Sequence, residues 1–222
     1  MQNAGKAIVT ISKERLASLQ AANYNGDIKI IDKPEQVKEA VEDIRRSRII
    51  GFDTETRPSF KKGQHYKMSL IQLCTPDCCY LFRVNLIGFP PELMELLEDP
   101  ELLKVGLSIK DDFHNLRKII DIEPQGFIDL QNYVKNFKIA DNSLSRLYGI
   151  LFDERISKGQ RLTNWETPEL TESQKRYAAL DAFACISIYN KLSEGKFNPE
   201  ESPYLTYPEK PETNPENKEN ET

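Results

Sequence analysis

Histidine and tryptophan are nearly missing from this 222-residue chain, which has His65, His114 and Trp165 as its only examples. A zinc site of Cys74, Cys78 and Cys79 completed by one of the two histidines fits in spacing but lacks a second cysteine pair. Four cysteines in all, two of them adjacent, make no disulfide framework, and an intracellular setting predicts free thiols. No apolar run approaches the roughly 18 residues of a membrane span. The stretch Ala7-Ile8-Val9-Thr10-Ile11 is too short for a secretory signal and runs into Lys13, Glu14 and Arg15, so the expected location is cytoplasmic.

An excess of positive charge is also missing: the net charge is −5. Seven of the 35 acidic and two of the 30 basic residues lie in 197–222, which leaves the rest of the chain neutral. That segment also holds five of the 13 prolines and reads as a disordered acidic tail. Residues 1–27 read as an N-terminal extension with a short helix around Lys13 to Gln20. The chain is long enough for one well-filled domain, expected over 28–196. Within it, Thr56 to Leu70 carries Arg57, Lys61, Lys62, His65 and Lys67 and no acid.

Just before that basic run, at the end of the apolar stretch Ile49-Ile50-Gly51-Phe52-Asp53-Thr54-Glu55, two carboxylates stand two residues apart. Side chains so spaced on a strand share a face. Two later segments each offer a further acid: Gly106 to Phe113, with Asp111 and Asp112, and Tyr177-Ala178-Ala179-Leu180-Asp181. Unpaired carboxylates gathered in one place repel one another and raise each other's pKa. Mg²⁺ and Mn²⁺ favour such oxygens, and two ions about 3.5–4 Å apart serve both ends of an in-line phosphodiester hydrolysis. Taken singly, each motif has an ordinary reading: a solvated strand end, a helix cap at Asp111 or Asp112, a half-buried tyrosine over the core.

As a set and in this order the motifs resemble the DEDD-type 3′–5′ exonucleases of the tyrosine subclass, the branch of ribonuclease D and the Werner syndrome exonuclease domain. The resemblance runs over residues 28–195. It puts the first motif on Asp53 and Glu55, the second on Asp112 rather than Asp111, and the third on Tyr177 and Asp181. The run Thr163 to Thr171 is also similar, although ribonuclease D-like members usually carry Arg-Pro where this chain has Pro168-Glu169. The resemblance implies an α/β, ribonuclease H-like fold with a mixed five-stranded sheet flanked by helices. It further implies two Mg²⁺ or Mn²⁺ ions on Asp53, Glu55, Asp112 and Asp181, with Tyr177 orienting the nucleophile. The expected activity is 3′–5′ exonuclease cleavage of single-stranded or 3′-recessed DNA or RNA, with Arg57, Lys61, Lys62, Lys67, Lys158 and Arg161 as phosphate contacts. A catalytically weak nucleic-acid-binding module, or another metal-dependent phosphohydrolase of the same fold, are the alternatives.

Local patterning agrees with an α/β order. Strands are expected at Ile28–Ile31, the first motif, Ser69–Cys74, Cys79–Val84, Leu103–Leu107 and Phe127–Leu130, with Asp129 a further acid near the sheet edge. Helices are expected at Pro34–Ser47, Pro91–Leu97, Asp111–Ile119, around Leu144–Leu151, and from a capping box at Thr171 to Gly195. Trp165 is read as a packing residue.

Overall fold

The computed structural model describes residues 6–207. The chain opens with β1 (Ile8–Val9), α1 (Lys13–Ser18), β2 (Gln20–Ala21), β3 (Asp27–Ile31) and α2 (Val37–Ile44). Then come β4 (Ile49–Thr56), β5 (Met68–Cys74), β6 (Cys78–Phe82), α3 (Val84–Ile87), α4 (Pro91–Glu98), β7 (Leu103–Gly106) and α5 (Ile109–Arg117). It closes with β8 (Phe127–Asp129), α6 (Leu130–Tyr133), α7 (Leu144–Phe152), β9 (Glu154–Arg155), α8 (Glu172–Ser193) and β10 (Leu205–Thr206). No described helix is long and apolar enough to cross a membrane.

The main sheet is mixed, in the order β3-β6-β5-β4-β7-β8. β4, β5 and β6 run antiparallel in turn, while β7 and β8 extend the sheet in parallel from β4. All six expected strands are present, one more than the five-stranded sheet the resemblance implied. The sixth is β3, which pairs in parallel with β6 from Asp27↔Cys78 to Ile31↔Phe82 and forms the edge.

Strand alternation sorts β4 between two cores. Ile50 and Phe52 join the core with Val37, Val41 and Ile44 of α2 and Leu93, Leu96 and Leu97 of α4. Gly51, Asp53 and Glu55 therefore face the opposite layer, where α8 lies against the sheet. That layer is filled by Ala179, Ala182, Cys185 and Ile188 of α8 with Leu147 and Leu151 of α7. Gly51 makes the approach possible, because a Cβ there would overlap the Ala182 carbonyl oxygen. α8 begins at the expected capping box, in which Thr171 accepts from Gln174 N and Gln174 accepts from Thr171 N at 3.0 Å. It stops at Gly195, whose φ of +69° suits the residue just past a helix end.

Two sequence expectations about the termini are corrected. Residues 6–27 are part of the packed body: β1 pairs with β10, β2 pairs with β9, and Val9, Ile11, Leu19, Ala22 and Tyr24 are buried. Residues 197–207, read as the start of a disordered tail, instead form a 3₁₀ turn at Pro199–Glu201 and then β10. Strands of two residues carry too little periodicity to be seen in a sequence. The rest of the expected tail, 208–222, lies outside the described residues.

Cys74 and Cys79 stand opposite each other in the β5–β6 pairing, with Cα atoms 4.1 Å apart, and both are fully buried. Adjacent strand residues point to opposite faces, so Cys78 and Cys79 cannot turn toward one zinc ion. Trp165 is fully buried against Leu70, Leu81, Leu170 and Ala178, a packing residue as expected.

Candidate active site

β4 delivers Asp53 and Glu55 to the face that α8 covers, and α8 brings Asp181 down onto them. Each of the three offers one carboxylate oxygen within 4.8 Å of the others'. Glu55 is 9% and Asp181 7% exposed, so this is a desolvated group of like charges. Burial first, then the charges of Asp181, Glu55 and Asp112, push the Asp53 carboxyl well above the usual range. Burial and Asp181 push Glu55 up to about 9. Burial also raises Asp181, against the pull of the Tyr177 hydroxyl and the Arg161 charge.

Asp112 stands beside this trio rather than in it. It lies in the first turn of α5, half-buried, and accepts a hydrogen bond from the Thr54 hydroxyl between the two β4 carboxylates. Burial raises it to about 6, with Thr54 holding it down. Asp111, beside it in the sequence, is exposed. Asp129 serves the fold instead, since its Oδ1 accepts from Gln131 N at 2.9 Å and Ser108 N at 3.0 Å, capping α6 and fixing the turn into α5.

Tyr177 and Asp181, four apart on α8, share a helix face. The Tyr177 phenol is raised by burial and by the charges of Asp181 and Glu55. Both residues line a cavity of about 360 Å³ with Asp53, Thr54 and Glu55; Asn142, Ser143, Lys158 and Arg161 line it too. Of the expected phosphate contacts, Lys158 and Arg161 thus reach the carboxylates' cavity. Arg57 is engaged elsewhere: it bonds Glu166 at 3.1 Å and stacks 4.5 Å over the Tyr66 ring. Lys61 lines a neighbouring hollow with Phe60 and Leu162, and Lys62 and Lys67 are exposed. Sequence reasoning missed Thr54, Asn142, Ser143 and Cys185; Thr54 and Cys185 had a signal, the one between two motif acids and the other one turn beyond Asp181.

The loop bearing Lys158 and Arg161 is anchored from both sides. Arg83 donates to the carbonyls of Thr167 and Pro168, and Gln174 Nε2 donates to Thr163 Oγ1 and Asn164 O, each at 3.1 Å. The site fits a hard divalent cation on its own evidence. Among the described residues no lysine or arginine forms an ion pair with Asp53, Glu55, Asp112 or Asp181. Asp181 Oδ1 is buried with no hydrogen-bond partner. Buried carboxylates left this way are costly unless a cation takes them up.

The model of the 3'-5' exonuclease family matches residues 28–195, and with them every one of these motif residues. The chain belongs to the 3'-5' exonuclease family. It is 35% identical over 150 residues to the bifunctional 3'-5' exonuclease/ATP-dependent helicase WRN of Mus musculus, covering 65% of this chain and 11% of that protein. A 3'-5' exonuclease of Arabidopsis thaliana is 33% identical over 153 residues, 66% of this chain and 53% of that one. The chain thus spans about half or less of the length of these curated relatives. Among solved structures, the Aedes aegypti Nibbler EXO domain superposes with a TM-score of 0.70 at 24% identity, covering 82% of this chain and 97% of that one. Escherichia coli RNase D gives 0.68 at 23% identity, with 76% and 44% covered. Both likenesses support the ribonuclease H-like fold.

Proposed function

We propose that this exonuclease removes nucleotides from the 3′ end of a single-stranded or 3′-recessed DNA or RNA strand by hydrolysing the terminal phosphodiester. The observation that carries the reading is the trio Asp53, Glu55 and Asp181, the last two buried, with an unpartnered oxygen on Asp181. Asp53, Glu55 and Asp181, with Asp112 alongside, would hold divalent cations, two Mg²⁺ or Mn²⁺ ions in the expected arrangement. When bound, such a pair lowers the pKa of a water and neutralises charge on the departing oxygen.

The chain's own side chains supply position. Thr54 holds the Asp112 carboxylate in a single orientation. Tyr177, one turn from Asp181 and with its proton firmly held, is suited to accept or donate a hydrogen bond to the attacking water without ionising. Lys158 and Arg161 line the same cavity as the carboxylates and would supply the cationic contacts a scissile phosphate needs.

The test is incubation of matched 3′-end DNA and RNA oligomers with the purified chain and Mg²⁺ or Mn²⁺. A ladder shortening one nucleotide at a time from the 3′ end, abolished by EDTA, is expected. Equal cleavage of a 3′-blocked oligomer would mean an endonuclease, and binding without cleavage a non-catalytic module.

A further inference from the structure

A second cavity of about 410 Å³ adjoins the carboxylate site, and Ser157 and Tyr177 line both. Its floor is apolar, from Ala22, Tyr24 and Leu180, and its rim is polar, with Asn23, Gln160 and Ser173. The wall formed by residues 22–24 lies outside the span that matches the exonuclease family.

That wall is held rigidly. β2 pairs in parallel with β9, and Ala22 N donates to Arg155 O at 2.9 Å. Arg176 of α8 donates to the Tyr24 and Gly26 carbonyls at 3.1 and 3.0 Å, and the Tyr24 ring meets Phe183 edge-on at 5.2 Å. Between buried Ala22 and Tyr24, Asn23 is exposed. Its one side-chain hydrogen bond is a long one, 3.4 Å to Ala21 O. The Gln160 and Ser173 side chains make no hydrogen bond among the described residues.

Charge is nearly balanced here: Arg176, whose Nη1 donates to two carbonyls, keeps its charge, and Glu172 on the same lining is paired with Lys175 at 2.7 Å. The adjoining cavity, by contrast, presents two cations, Lys158 and Arg161. An apolar floor under carboxamides suits a neutral heterocycle, whose edge pairs with Asn and Gln side chains while its face packs on apolar surface.

We propose that this cavity is a nucleobase subsite, in which Asn23 and Gln160 bond the edge of one base near the 3′ end while its phosphate lies toward Lys158 and Arg161. The inference rests on the nuclease reading and adds to it a base-contacting role for the N-terminal segment. Because carboxamides discriminate between base edges, the site would impose a base preference at one position of the strand.

The test uses the full chain in EDTA, which permits binding without cleavage, and single-stranded oligomers in which one abasic position is moved stepwise from the 3′ end. One position should stand out in the parent, where loss of the base weakens binding about 10-fold, the scale of two good polar contacts plus packing. In Asn23→Ala/Gln160→Ala that position should become indistinguishable from its neighbours, with the melting temperature and the metal response near parental values. The two single variants should each remove part of the effect. A flat abasic scan in the parent, or a scan that the double variant leaves unchanged, overturns the subsite. Metal-dependent shortening by the parent reports separately on the nuclease reading: a ladder with a flat scan sinks the subsite alone, and neither ladder nor binding sinks both.

Discussion

Gly51 of β4 and Ala182 of α8 meet backbone to backbone, and each is next to or near a residue of the carboxylate trio. The absent Cβ at Gly51 lets the helix lie low enough on the sheet for Asp181 to reach Asp53 and Glu55. Gly51→Ala should lift α8 off β4. The expected cost is about 1–3 kcal/mol for an overpacked core position, together with loss of the metal-induced rise in melting temperature. Chemical denaturation and thermal melts with and without Mg²⁺ would measure both. A variant that keeps the parental metal response would show that the close approach does not set the site.

Metal should stabilise the folded protein, since an ion that binds only the folded state shifts the equilibrium toward it and relieves carboxylate repulsion. Asp53→Asn and Asp181→Asn should blunt that rise in melting temperature and abolish cleavage. Identical metal responses in both variants and the parent would remove these residues from the metal site.

Metal-free stability should fall as pH rises. Folded Glu55 keeps its proton up to about pH 9, whereas an unfolded glutamate releases it near the ordinary value of 4.5. Between those values the folded state binds more protons, so this contribution is fully present below about 4.5 and is lost as pH climbs through about 9. Melting temperatures in EDTA should decline across that window, and saturating Mg²⁺ should flatten the decline. A flat profile in EDTA would mean the carboxylates are better solvated than their burial indicates.

Tyr177→Phe separates chemistry from metal binding, because it keeps the ring beside Trp165 and removes one hydroxyl. The metal-induced stabilisation and substrate affinity should stay near parental values while kcat falls by about 10²–10⁴, the range for positioned acid–base groups. Full kcat under saturating substrate would make the hydroxyl structural.

Thr54→Val should leave the strand in place and free the Asp112 carboxylate. Groups that orient metal ligands are typically worth about 10–100-fold in metal affinity or activity. The expected outcome is a loss in that range, visible as a higher Mg²⁺ concentration needed for half-maximal rate. An unchanged metal requirement would show that Asp112 needs no such support.

Much of the site was legible in local spacing. Asp53 and Glu55 share a face because strand side chains alternate, and Tyr177 and Asp181 share one because helix positions four apart align. Thr171 and Gln174 announced the start of α8, and the six β segments could be read from apolar runs. The termini could not: strands as short as β1, β2 and β10 have no period to detect, and their partners, 139, 154–155 and 205–206, are distant in sequence.

Periodicity assigns a residue to a face but does not say what that face meets. The sequence alone determined which acids could act together and on which elements they ride. Tertiary structure decided that β4 and α8 cross at Gly51 and Ala182, which joins Asp181 to Asp53 and Glu55 and leaves Asp112 beside them on Thr54. It also diverted Asp129 to a helix cap and Arg57 to Glu166, and put Asn23 and Tyr177 in the lining of one cavity. Those outcomes depend on how closely two backbones approach and which long side chain finds a partner first, and both are properties of the packed chain.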